Sequence, residues 1–262
     1  MKSYRLWIAI ILCIITIQLL RASQPFIPTT IINLDRSPDR MLVMSIQCFL
    51  YGIPYKRWAA IDGVTYKFTD EEKSMLFGIA SDEPGLKTKY SKAEIDALFA
   101  KRESEPVFKK TKKIMACALS HIQVWKSYKD SKKPVLIMED DTILDPHLRQ
   151  DVKGCLDKLE SVDPDWHIIW ISGGKPGDRE RVGFWNSHDI YRMDPPEYIG
   201  QGTVGYILSP KGLEFFLAKL NEHGCSYASD TFLFEHLDVN HAYGTTPALI
   251  SSGGFFNSTI TM

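Results

Sequence analysis

The chain is organised around the stretch Pro134-Val135-Leu136-Ile137-Met138-Glu139-Asp140-Asp141, in which five apolar residues run into three acidic ones. A short apolar run of this length is typical of a buried strand. Ionised carboxylates are costly in an interior without partners, so the chain should reach the surface where they begin. In open α/β sheets, ligands bind just outside the carboxyl ends of the strands. The stretch therefore predicts a buried strand with a polar site at its end.

The acidic end of this strand is a candidate metal site. Glu139 and Asp141 form the outer members of an acid-x-acid pair, with Asp140 between them. Oxygen ligands of this kind suit Mn²⁺ or Mg²⁺, and a cation so held would bind a diphosphate. The alternative is a solvated strand end followed by a turn.

The remaining pattern alternates between strands and helices. Residues 29–34 are rich in β-branched residues and predict the first strand. Ser37 and Pro38 then predict the start of a helix, which Gly52 ends. Further strands are expected at 55–61 and 166–171, and further helices near 114–125, 148–159, 210–220 and 231–237. Residues 66–113 predict a partly helical excursion, and residues 177–186 a loop.

The composition excludes one broad class of protein. The chain has 31 basic and 32 acidic residues, which gives a formal net charge of −1. A nucleic-acid-binding protein would need a basic face, so no nucleic-acid partner is expected.

The N-terminus predicts attachment to a membrane. Residues 1–5 form a basic tail, residues 6–20 a mostly apolar signal anchor or signal peptide, and residues 21–28 a linker. An uncleaved anchor would place the rest in the lumen of the endoplasmic reticulum or Golgi, as a type II membrane protein. The alternative is a secreted protein. In either case Asn257-Ser258-Thr259 becomes a glycosylation sequon.

Five short motifs, taken in order, resemble glycosyltransferase family 25, which includes lipopolysaccharide glycosyltransferases and collagen galactosyltransferases. The resemblance covers roughly residues 29–250. The matching residues are Ile32-Asn33-Leu34-Asp35-Arg36 with Asp39-Arg40; Cys117-Ala118-Leu119-Ser120-His121 with Trp125; Leu136 to Asp141; Gly202 to Tyr206 with Ser209, Lys211 and Gly212; and Asp230 with Phe232-Leu233.

The resemblance implies a fold and an activity. We expect an α/β fold in which residues 29–262 form one GT-A-like catalytic domain, with a mixed, mostly parallel central sheet flanked by helices. The implied donor is a nucleotide sugar, with galactose or glucose on UDP as the leading guess. The acceptor would be a hydroxyl of a glycan or glycoprotein, and transfer would invert the anomeric carbon with help from Mn²⁺ or Mg²⁺.

The same resemblance implies roles for individual residues. The metal would bind Glu139 and Asp141. Asp230 is the first candidate for the base that takes the acceptor proton or for a further metal contact, and its alternative is a plain helix cap. His236 and His241 are weaker candidates for metal or phosphate contacts. The expected donor-binding residues are Asn33, Asp35, Arg36, Arg40, Ser120, His121, Gly202, Thr203, Gly205 and Tyr206.

Two other classes of function stay open on sequence grounds. A metal-dependent hydrolase could use the same carboxylates, although the sequence shows no further histidine–aspartate pair at a convincing spacing. A catalytically inactive member of the fold would bind a sugar nucleotide or act as a scaffold without turnover. Turnover of a nucleotide sugar with metal separates the transferase from the inactive protein.

Overall fold

The computed structural model describes residues 24–77, 106–173, 180–193, 202–225 and 228–253, together with five positions among the first 20 residues. The helices are α1 (Pro38–Tyr51), α2 (Asp70–Phe77), α3 (Pro106–Ser127), α4 (Leu148–Val162), α5 (Pro210–His223) and α6 (Ser229–Glu235). The strands are β1 (Thr29–Asn33), β2 (Lys56–Ala59), β3 (Val135–Glu139), β4 (Thr142–Leu144), β5 (Ile168–Trp170), β6 (Arg181–Trp185), β7 (His188–Arg192), β8 (Gly205–Leu208), β9 (Ala242–Thr246) and β10 (Ile250–Ser252).

Within these ranges, eight strands form one mixed sheet in the order β2-β1-β3-β8-β5-β9-β7-β6, and β4 pairs with β10 separately. Six of the eight strands run in one direction, whereas β7 and β8 run in the other. The prediction of an α/β fold with a mixed, mostly parallel sheet is confirmed. Strands β1, β2 and β3 are mutually parallel. Their carboxyl ends, at Asn33, Ala59 and Glu139, therefore meet at one edge of the sheet.

Strand β3 is buried on both faces, which explains its unbroken apolar sequence. Val135 and Ile137 pack in one hydrophobic cluster with residues of α3, α5 and α6. Leu136 and Met138 point the other way, into a second cluster with residues of α1 and α4. Burying each such side chain contributes about 1.5–3 kcal/mol, so the apolar run is held firmly up to the point where the carboxylates begin.

Helix α1 follows β1 after a short turn. Pro38 stands at the beginning of the helix, and Gly52 ends it in the left-handed conformation with φ 66°. Ser37 occupies the cap position, but its side chain makes no capping hydrogen bond. Its carbonyl oxygen instead accepts from Asn33 Nδ2 at 2.9 Å. The turn is thus closed by the last residue of β1 rather than by the predicted serine cap.

The sequence prediction was wrong for part of the 177–186 loop, since Arg181–Trp185 forms strand β6. This strand pairs only with β7, at the edge of the sheet, and its residues are mostly exposed. An edge strand with little apolar burial gives no alternating hydrophobic pattern, so the sequence carried no strand signal there. The predicted helix at 231–237 begins two residues earlier, at Ser229.

In the parts of the chain that the structure describes, no helix is long and apolar enough to cross a membrane. Most of the predicted anchor at residues 6–20 lies outside those parts, as does the sequon at Asn257.

A buried polar cluster joins the end of α4 to the beginning of β9. Asp163 Oδ2 accepts hydrogen bonds from Tyr243 Oη at 2.8 Å and from His241 Nδ1 at 2.9 Å. The backbone N–H of Asp165 donates to the other oxygen, Asp163 Oδ1, at 2.9 Å. Burial alone would raise the pKa of Asp163, but these hydrogen bonds outweigh it and lower the pKa. The carboxylate therefore stabilises the fold in its ionised form.

We expect Asp163→Asn to lower the free energy of unfolding by about 1–3 kcal/mol at pH 7, because buried donors lose a charged acceptor. The unfolded pKa is about 3.9 and the folded pKa is lower, so the stabilisation is present above pH 3.9 and is lost as the pH falls through the folded pKa. Urea unfolding from pH 3 to pH 7 measures the difference between variant and parent. Asp157→Asn, in an exposed pair with Lys153, is the control and should change stability little. A difference between Asp163→Asn and the parent that does not shrink at acid pH would contradict this prediction.

Candidate functional site

A cleft opens at the carboxyl ends of β1, β2 and β3, where the sequence predicted a polar site. The space within it, including the open solvent at its mouth, is about 600 Å³. All three residues of the acidic stretch line it. The lining residues are Ile32, Leu34, Arg36, Arg40, Ala60, Ile61, Asp62, Gly63, Lys113, Cys117, Ser120, Glu139, Asp140 and Asp141.

Arg40 joins α1 to the acidic stretch. It lies in the first turn of the helix and is 5% exposed. Its Nη2 atom lies 3.0 Å from Asp140 Oδ1 and 2.9 Å from Asp141 Oδ2. Asn33 Nδ2 donates to Asp140 Oδ2 at 2.6 Å. Arg40 and Asn33, both expected to bind the donor, thus lie behind the carboxylates and hold them in place.

The three carboxylates differ in their electrostatics. Burial raises the pKa of Asp140, although Asn33 and Arg40 oppose the rise. Burial and the charge of Glu139 raise the pKa of Asp141 to about 6, again against Arg40. Asp141 Oδ1 is buried and has no hydrogen-bond partner in the described ranges. Negative charge is therefore in excess at the end of β3, and one carboxylate oxygen is left available to a ligand.

Glu139 is held by two residues that the sequence placed in the site. Thr203 Oγ1 donates to Glu139 Oε1 at 2.6 Å, and His121 Nε2 lies 3.4 Å from the same oxygen. Burial opposes ionisation of Glu139, but His121, Thr203 and the charge of Arg40 together lower its pKa. Glu139 is thus a carboxylate at neutral pH.

Behind Glu139, a chain of aromatic residues fixes the imidazole of His121. Tyr206 Oη lies 2.8 Å from His121 Nδ1 and accepts from Trp125 Nε1 at 2.8 Å. Tyr206 is fully buried, and its hydroxyl lies within the protein core. Gly205 pairs with Met138, and a side chain there would overlap Ile250. Gly205 and Tyr206 therefore support β3 and Glu139 from inside the core.

Gly202 and Asp230 lie on segments that adjoin this cluster. Gly202 has φ +70°, a conformation that favours glycine, and Thr203 follows it. Thr203 Oγ1 also lies 3.2 Å from Ser229 Oγ, at the beginning of α6. Asp230 is the next residue, and its Oδ1 accepts from the adjacent Thr231 N. The helix begins after Ala228 without a side-chain cap, so Asp230 lies in its first turn rather than at the cap position. Asp230 is not among the residues that line the cleft.

Of the remaining predicted donor-binding residues, Arg36 and Ser120 line the cleft and Asp35 does not. Arg36 is half exposed and pairs with Asp62 at 2.6 Å. Asp35 is exposed and pairs with Arg57, outside the set of lining residues. Ser120 lines the wall, where its hydroxyl donates to a helix carbonyl and accepts from Ile61 N.

The two weaker histidine candidates do not line the cleft. His241 bonds Asp163 near the opposite ends of the strands. His236 stacks on His223, and burial together with His223 lowers its pKa to about 4.

The sequence analysis missed three features, which are the place of Cys117 in the cleft and two histidine–aspartate pairs. Cys117 lines the cleft, and its position four residues before His121 on one helix face was the available signal. Burial, then the charges of Glu139, Asp230 and Asp141, raises the pKa of the Cys117 thiol well above its usual value. Histidine–aspartate pairs also exist, at Asp163–His241 and Asp151–His188. None of these four residues lines the cleft, and their partners are far apart in sequence.

Comparison with known proteins bears on the family of the chain. Residues 26–175 match the model of a family described as glycosyltransferase family 25 (LPS biosynthesis protein). The chain is also 26% identical over 204 residues to procollagen galactosyltransferase 2 of Homo sapiens. That alignment covers 77% of this chain and 29% of the human protein, so the chain spans less than a third of that relative's length. The matched range of the family includes β1, α1, β3 and the acidic strand end.

The two cleft arginines provide a matched test of the site's architecture. Arg40→Met should lower the free energy of unfolding by about 3–5 kcal/mol, because it leaves buried carboxylates without their cation. Arg36→Met removes an exposed ion pair and should cost about 0–1 kcal/mol. Chemical denaturation at pH 7 measures both. Equal, small losses for the two variants would contradict the assignment of Arg40 as the buried counter-ion.

Proposed function

The chain belongs to glycosyltransferase family 25, and we propose that it transfers a hexose from a nucleotide sugar to a hydroxyl group of a glycan or protein. The observation that carries this proposal is the excess of carboxylates at the cleft, where Asp141 keeps a buried oxygen without a partner among the described residues. Four acidic residues line the cleft against the three basic ones, Arg36, Arg40 and Lys113, so added positive charge would favour the binding of a diphosphate there. The site therefore favours a ligand that enters together with a cation.

The residues present fit a hard divalent cation. Glu139 and Asp141 both line the cleft and offer oxygen ligands. We assign the cation to these two residues and not to Asp140, whose oxygens are already engaged by Asn33 and Arg40. Mn²⁺ or Mg²⁺ held there would neutralise the diphosphate of the leaving group.

Asp230 is our candidate for the general base. It follows Ser229, whose hydroxyl is linked through Thr203 to Glu139. In the proposed reaction Asp230 takes the proton of the acceptor hydroxyl while the acceptor oxygen bonds to the anomeric carbon. The bond from that carbon to the donor phosphate breaks, and the nucleoside diphosphate leaves. A single displacement of this kind inverts the anomeric carbon.

Arg36 is the residue best placed to meet the donor phosphates. Its side chain is 47% exposed at the mouth of the cleft and pairs with Asp62. A guanidinium at this position can bind phosphate in a bidentate manner. Arg40 is committed to Asp140 and Asp141, so we assign it a supporting role.

The finer specificity also belongs to the proposal. A relative named procollagen galactosyltransferase 2 supports galactose as the first sugar to test, with UDP as the carrier. We further propose a GT-A-like catalytic domain over residues 29–262. It would be held in the lumen of the endoplasmic reticulum or Golgi by residues 6–20.

Transfer should depend on added metal through Asp141. We expect the full-length protein to transfer sugar from one member of a panel of UDP-sugars with Mn²⁺, and a chelator to abolish the activity. Asp141→Asn should lose the activity and keep its fold, because it removes one negative charge from a crowded cluster. Asp145→Asn, outside the lining of the cleft, is the control. Full activity in a chelator, or in Asp141→Asn, would refute this role.

Asp230→Asn should fold normally and lose transfer by roughly 100-fold or more, the scale of a general base. Asparagine keeps the size of the side chain and cannot take the proton. Asp238→Asn, whose carboxylate accepts a local backbone hydrogen bond from Asn240, is the matched control and should retain activity. Unchanged affinity for UDP in Asp230→Asn would support the role of general base. A loss of UDP affinity that is seen only in the presence of Mn²⁺ would instead assign Asp230 to the metal. Transfer at the parent rate would show that Asp230 is structural.

A further inference from the structure

A group of potential ligands for a softer metal lies beside the cleft. Cys117, His121 and Glu139 each offer one ligand atom, and these atoms all lie within 4.8 Å of one another. The set combines a thiol, an imidazole and a carboxylate. It differs from the oxygen ligands assigned to Mn²⁺ or Mg²⁺ and shares only Glu139 with them.

Sequence and fold explain why the three side chains converge. Cys117 and His121 are four residues apart in α3, so they lie on the same face of the helix. Glu139 ends the strand on which this face packs, and Thr203 holds one of its oxygens. All three residues lie in regular elements, His121 is fully buried, and Cys117 and Glu139 are partly buried.

His121 supplies an independent observation that points to a ligand. The residue is fully buried. Among the described residues its Nε2 atom makes no contact with hydrogen-bond geometry, and Glu139 Oε1 lies 3.4 Å from it. The other ring nitrogen, Nδ1, lies 2.8 Å from the hydroxyl of Tyr206. An oxygen partner at the second nitrogen is what orients a metal-bound imidazole.

We propose that Cys117, His121 and Glu139 form a binding site for Zn²⁺ or a cation of similar softness. Zinc takes sulfur, nitrogen and oxygen ligands in tetrahedral geometry, at separations that put ligand atoms roughly 3.4 Å apart. The spacing from His121 to Glu139 already has this value. Binding replaces the thiol proton of Cys117 by the metal, and the proton passes to solvent.

A metal held by these residues would be reached from the cleft. Cys117 and Glu139 line the cleft, whereas His121 lies behind them. Three protein ligands with one open position is the arrangement in which zinc also accepts water or another ligand. A zinc ion bound here would also take up the carboxylate of Glu139. That carboxylate would then not be available to the Mn²⁺ or Mg²⁺ of the proposed transfer reaction. Zn²⁺ should then inhibit that reaction, a consequence that rests on the proposed function.

Cobalt provides a spectroscopic test that needs no nucleotide sugar. Full-length protein without a polyhistidine tag is reduced, freed of metal and titrated with Co²⁺. We expect a near-ultraviolet thiolate-to-cobalt charge-transfer band that Zn²⁺ displaces. Cys117→Ser should lose the band and weaken Co²⁺ binding by at least about 10-fold, the lower limit seen for losing even an outer-shell partner. Cys155→Ser, at a buried cysteine of α4, should match the parent.

A second measurement uses the parent protein, so it does not depend on the folding of a variant. Saturating Zn²⁺ should slow alkylation of Cys117 by N-ethylmaleimide by at least about 10-fold, as read by peptide mass spectrometry. Cobalt bound without the charge-transfer band, identical behaviour of the two cysteine variants, or unprotected Cys117 would each overturn the zinc site. A failure of sugar transfer with these signals intact would count against the proposed function and leave the metal site standing.

Discussion

Two buried ion pairs of Arg40 hold together the acidic wall of the cleft. One guanidinium contacts Asp140 and Asp141 and ties the first turn of α1 to the residues that follow β3. Taking these charges out of water is tolerable only while they remain paired. Asn33 adds a hydrogen bond from the end of β1. The helix and both strand ends are thus fixed relative to one another, and the cleft between them has a defined shape.

The same pairing leaves the site short of positive charge. Arg40 is shared by two carboxylates, Glu139 adds a third, and Asp141 retains an unpartnered oxygen in the described region. An excess of buried negative charge is costly for folding and useful for binding, because a bound cation would relieve it and could then hold a diphosphate. Both proposed metal sites share Glu139, one with Asp141 and the other with Cys117 and His121. Competition between the two proposed cations would therefore take place at this one carboxylate.

Local sequence patterns predicted the parts of the fold that depend on local physics. The apolar run of β3, the glycine that ends α1 and the amphipathic helix at Leu148–Val162 are all found where expected. Edge strand β6 was missed because its exposed residues carry no hydrophobic period. The acidic end of β3 was located correctly from sequence.

The contacts within the site could not be predicted, because they join residues distant in the chain. Tyr206 was expected to bind the donor because it belongs to a motif that resembles the family, yet it lies in the core between His121 and Trp125. Likewise, α6 begins two residues earlier than predicted, which places Asp230 in the first turn of the helix rather than at its cap. Only the packing of α3 against β3 shows that Cys117 and Glu139 are neighbours.

Electron paramagnetic resonance of Mn²⁺ mixed with the protein tests whether Asp141 binds the cation that accompanies the donor. The free Mn²⁺ signal should fall strongly when UDP is added to the parent protein and stay high with Asp141→Asn. Equal Mn²⁺ binding by the two proteins, or UDP binding that does not depend on Mn²⁺, would contradict the assignment of the cation to Asp141.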